Sequence, residues 1–72
     1  MDSLQNNRRP KRVRIVSLDD SIRRGLNCEG VKIGMIYNVG TAFEGVYRIV
    51  INQTKFWPSS RWVSVVDVEP VD

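Results

Sequence analysis

The apolar residues of this chain arrive in short β-rich blocks, and none of the intervals between them carries the spacing of a helical face. The densest block is VYRIVI at residues 46–51, where Tyr47, Ile49 and Ile51 alternate with Val46, Arg48 and Val50. β-Branched and aromatic side chains in alternation suit a pleated, half-buried strand. The NQ or NQT that follows reads as a tight hairpin, because asparagine tolerates positive φ. A chain built this way must make a sheet. With 72 residues it makes one domain, and folding hides only about 60% of the surface that the unfolded chain exposes. Wrapping the sheet on itself creates a core without helices and limits exposed edges.

Five strands follow from the blocks. RVRIVSL opens the fold, with Val13, Ile15 and Leu18 inward and a bulge expected near Val16 and Ser17. DDSIRRGLNCEGVKIG is read as a long structured loop tacked down by Ile22, Leu26 and Val31. A short helix from Asp19 or Asp20, ended by Gly25, is its competitor, since aspartate is a good N-cap. MIYNV is the second strand, TAFE a loop between Gly40 and Gly45, and VYRIVI the third strand. KFW is the fourth, PSSR a turn, WVSVV the fifth, and DVEPVD an acidic tail. The expected organisation is a flexible basic arm over 1–11, an all-β, five-stranded antiparallel barrel over 12–68, and an acidic tail over 69–72.

Composition removes several classes of chemistry. Histidine is absent and Cys28 is the sole cysteine. No intramolecular disulfide forms, no Cys/His zinc site assembles, and no Ser-His or Cys-His pair exists. Asp19 with Asp20, and Glu29, are the remaining candidate acids, and neighbouring loop carboxylates serve turns and caps more often than catalysis. A non-enzymatic protein without cofactor or metal is expected. The longest apolar runs are too short for a bilayer or a signal segment, so a cytoplasmic location is expected, with no membrane partner.

The stretch WPSSRWVSVV resembles the Src-homology-3 family, in which a proline and a serine follow the fourth strand and a one-turn 3-10 segment leads into the last. The resemblance implies an SH3-like barrel with a long first loop over 19–33, the 3-10 turn at Pro58–Arg61 and the closing strand at Trp62–Val66. The chain is also similar to small barrel proteins of phages and bacterial genomes, through Gly34–Val39, Tyr47–Ile49 and Trp57–Trp62, which implies a phage or prophage protein that binds a host or phage protein. Trp57 and Trp62 either close the barrel core or leave one ring exposed beside Pro58 and Tyr37 as a groove for a proline-rich peptide. Against the groove, the first strand has no aromatic pair, the third opens with Gly45 and Val46, and Arg61 stands where the peptide-binding members carry a tyrosine.

Charge supplies the second functional reading. Residues 1–14 hold Arg8, Arg9, Lys11, Arg12 and Arg14 against Asp2, whereas residues 15–72 hold six basic and seven acidic side chains. The excess of +3 therefore sits in the leader. Such a run binds nucleic acid by releasing counterions from phosphates, or it merely solubilises and blunts a strand edge. Arg48 and Lys55, on paired strands, are candidates to extend a nucleic-acid surface. Phe43, Trp57, Pro58 and Arg61 are the candidates for a protein contact. The leading expectation is a non-catalytic protein-interaction module, and the alternative is a small nucleic-acid-binding protein.

Overall fold

The structure is a computed structural model, and it describes residues 9–52 and 59–71. The elements in chain order are β1 (Arg12–Ile15), a single helical turn α1 (Asp19–Arg23), β2 (Ile36–Phe43), β3 (Val46–Asn52) and β4 (Ser59–Ser64). A 3-10 turn (Val65–Asp67) then leads into β5 (Val68–Val71). All four ladders are antiparallel, and the sheet order is β4-β3-β2-β1-β5. The five antiparallel strands and the 3-10 turn before the last strand are therefore as the sequence implies.

Closure is not. Among the described residues no ladder joins β4 to β5, so the sheet is open and these two strands are its edges. The segment between β1 and β2 covers the edge of β4 instead. The Trp62 amide donates to the Asn27 carbonyl at 2.9 Å, and the Ser64 amide donates to Ser21 Oγ at 2.8 Å. The β5 edge is blunted by Pro70. Ile15 spends its amide on the Met35 carbonyl and its carbonyl on the Gly34 amide, both on the β2 side. Alternation then turns Arg12 and Arg14 toward β5 and leaves the nitrogen of Pro70, opposite Val13, on the outer edge, where no donor is needed.

The core is small. Val13, Ile15, Val31, Ile49 and Val63 are buried, with Leu18, Cys28, Tyr37, Val39, Tyr47, Ile51 and Val68 packed on them. Period 2 explains most of it: Val13 and Ile15 share one face of β1, and Ile49 and Val63 share the corresponding face of β3 and β4.

Several boundaries differ from expectation. Thr41–Phe43 of the TAFE segment are the end of β2, because the turn is only Glu44–Gly45, both at positive φ (49° and 83°), the pattern of a two-residue hairpin of type I′. The expected 3-10 turn at 58–61 and closing strand at 62–66 are displaced toward the C-terminus. Residues 59–64 pair with β3, and the turn falls on Val65–Asp67, where the Ser64 hydroxyl accepts from the Val66 amide and the Val65 amide reaches the Gly45 carbonyl. The segment expected to be an acidic tail supplies β5 over 68–71. The expected fourth strand at 55–57 and the hairpin after Asn52 lie outside the described residues. The loop expected at 19–33 begins with helix α1, which ends at its C-cap Arg24 and is followed by Gly25 (φ +77°). Leu26 is half-buried and Val31 buried, as expected of anchors, but Ile22 is exposed.

Candidate functional site

Burial of Val13 and Ile15 forces Arg12 and Arg14 onto the outer face of β1. Arg12 lies between Asn38 of β2 and Val71 of β5, and Arg14 between Ile36 and Glu69. The Val39 amide donates to the Lys11 carbonyl at 2.9 Å, so pairing extends one residue past the strand and holds the end of the leader to the sheet. There Arg9, Pro10, Lys11 and Arg12 line, with Val71, an open groove of about 410 Å³. Three cations in four consecutive residues thus converge on one concave feature. Arg14 differs, because its guanidinium donates to Glu69 at 2.6 Å across the strand pair. The partners are exposed, and the pair is worth roughly 0–1 kcal/mol.

Two strands away, Arg48 is fixed on the same outer face. Its Nε and Nη2 donate to Thr41 Oγ1 at 3.4 and 3.2 Å, and its Nη1 donates to Ser60 Oγ at 3.1 Å. The guanidinium lies against Gly40, at the register shift between Val39 and Thr41. A Cβ there would stand 2.8 Å from Nη2, so a larger residue at position 40 would push the guanidinium off this seat. Trp62, half-buried, is the direct cross-strand neighbour of Arg48, and Asn38, Val50 and Ser60 form the row beside them.

Of the other candidate residues, Arg61 and Tyr37 lie off this face, whereas Phe43 is on it by register, opposite Val46 and two residues beyond Thr41. Arg61 lies opposite Ile49, and its Nε and Nη1 donate to the carbonyls of Glu29 and Ser60, both at 2.7 Å, so it straps the covering segment to β4. Phe43 is 62% exposed beside the Glu44–Gly45 turn, away from the groove. Tyr37 packs on the core and accepts a hydrogen bond from the Lys32 amide through its hydroxyl. Arg8, Lys55, Trp57 and Pro58 lie outside the described residues.

Sequence reasoning missed a buried polar cluster. Ser21, Ser64 and Asp67 are buried together at the junction of α1, β4 and the 3-10 turn. Asp67 accepts from the amides of Asp20 (3.3 Å) and Ser21 (2.7 Å) and from the Ser21 hydroxyl (2.6 Å), which makes it a cap for α1 from across the fold. The Ser64 hydroxyl donates to Asp20 Oδ2 at 2.6 Å. That bond, followed by the one from Arg23, holds the Asp20 carboxyl below the usual aspartate range, and partial desolvation opposes the shift. Among the described residues no buried side-chain nitrogen or oxygen lacks a partner. Both serines are sealed from solvent, so the cluster is a clasp and presents no nucleophile to a substrate.

An apolar end forms the second surface. Val16, Ile22, Ile33, Met35 and Val66 are between 48% (Val16) and 69% (Val66) exposed. The Val16 amide donates to the Asp67 carbonyl, next to Val66, and the Ile15 amide donates to the Met35 carbonyl. The backbone therefore gathers four of these residues around the end of β1, while Ile22 sits on α1, which packs against the 3-10 turn.

Comparison with protein-family models, with curated proteins and with solved structures finds no match for this chain. Among the described residues no group of three or more histidine, cysteine, aspartate or glutamate side chains could hold a metal ion, and no helix is long and apolar enough to cross a membrane.

Proposed function

We propose that this chain is a non-catalytic binding module that holds nucleic acid by its phosphate backbone. The observation that carries this reading is the groove at Arg9, Lys11, Arg12 and Val71, which concentrates the leader's charge on a face of an otherwise near-neutral body. Cations so placed attract a polyanion without base readout, and displaced counterions make the affinity fall with salt. The strand order, with a 3-10 turn between β4 and β5, supports a Src-homology-3-like sheet as the scaffold.

A protein partner is the second reading, favoured by the apolar end around Val16, Ile33, Met35 and Val66. It would dock by side chains rather than by strand addition, since Ser21 and Asn27 occupy donors on the β4 edge and Pro70 blunts the β5 edge. The two are separated by titrating a labelled oligonucleotide over a range of salt. The R9Q/K11Q/R12Q variant should bind more weakly, with a log–log salt slope shallower by about 2. An unchanged slope and affinity would remove the nucleic-acid reading.

A further inference from the structure

We propose that nucleic acid held in the groove continues as a single strand across the outer face of the sheet, over Asn38, Val50 and Ser60, to Arg48 and Trp62. This rests on the nucleic-acid reading and names its ligand more closely. The path is set by register. Arg12 faces Asn38, Asn38 faces Val50, and Val50 faces Ser60, so one row of outward residues crosses four strands. At the spacing of adjacent strands the row is roughly 14 Å from β1 to β4, which a few nucleotides of extended chain cover.

The row's chemistry suits a backbone lying on it. Its side chains are a cation, an amide, a small aliphatic and a hydroxyl, with no acid among them. Glu69, in the neighbouring row, is engaged by Arg14, so that row offers a phosphate little net attraction. At the far end Arg48 is held in place by Thr41 and Ser60 before any ligand arrives, which limits the ordering cost of a contact there. Trp62 beside it supplies an aromatic face. A duplex keeps its bases stacked on one another, whereas a single strand can lay an unpaired base on the indole, with the adjacent guanidinium adding a cation. Counterion release by itself favours the more densely charged duplex, so a preference for the single strand has to come from stacking on Trp62.

The test uses the full chain with a labelled oligothymidylate and a duplex of equal length, read by anisotropy. The single strand should bind more tightly than the duplex. N38E places an acid in the middle of the row on an exposed side chain and should weaken single-strand binding about fivefold, whereas I33E, the same charge change at the apolar end, should alter it less than about twofold. W62A should cost about tenfold and W62F much less, since phenylalanine keeps a stacking face. Equal effects of N38E and I33E, or equal affinity for duplex, would overturn the path while leaving the groove intact, provided that R9Q/K11Q/R12Q still loses affinity. If that variant also binds as the parent does, the underlying reading fails with it.

Discussion

Ser21 is fully buried, and its hydroxyl donates to Asp67 while accepting from the Ser64 amide. Replacing it with alanine leaves the buried Ser64 amide without its acceptor and removes one of the two donors to Asp67 Oδ2, so S21A should destabilise the fold by about 1–3 kcal/mol in denaturant unfolding. An exposed-site change such as I22A should cost far less, although isoleucine is the residue that hydropathy would choose as the anchor. Asp20 adds a pH dependence with a defined sign. Its carboxyl is held below the usual range when folded, first by the Ser64 hydroxyl and then by Arg23. The stability it contributes is present above its unfolded value, near pH 4, and is lost as pH falls through the lower folded value. In D20N the unfolding midpoint should fall less steeply below about pH 4 than in the parent chain.

At the level of elements, the strands were legible because their apolar residues alternate. Val13 with Ile15, and Ile49 within VYRIVI, are inward as period 2 requires. The elements that sequence misplaced depend on contacts from distant residues. Helix α1, offered by the sequence only as the competitor of a loop, has five residues and no side-chain cap at Leu18; its amides at positions 20 and 21 are bonded by Asp67, which local pattern does not reveal. The 3-10 turn contains two valines, which read locally as strand, and it is held by Ser64 and by the Gly45 carbonyl of another hairpin. β5 was missed as well, because DVEPVD reads by its charge as an acidic tail. A proline suggests the end of a sheet, yet an edge strand accepts one wherever its nitrogen faces outward. The cationic groove was partly legible: the basic run was plain, but the closeness of Val71, and the anchoring of Arg48 beside Trp62, follow only from the register.

Taken as a whole, the molecule divides its surface by chemistry. Charge gathers at the start of β1, aliphatic side chains gather at its end, and a polar clasp between α1, β4 and the 3-10 turn seals the edge that an open sheet would otherwise expose. The clasp and the small core hold these faces in register, so the binding reading depends on the fold remaining intact. A titration of the full chain with a short oligothymidylate, followed through backbone amide chemical shifts, examines that division in one experiment. Shifts should concentrate at Arg9, Lys11, Arg12, Asn38, Arg48 and Trp62, and leave Val16, Ile33, Met35 and Val66 in place. Shifts confined to the apolar end, or none at low salt, would contradict the account.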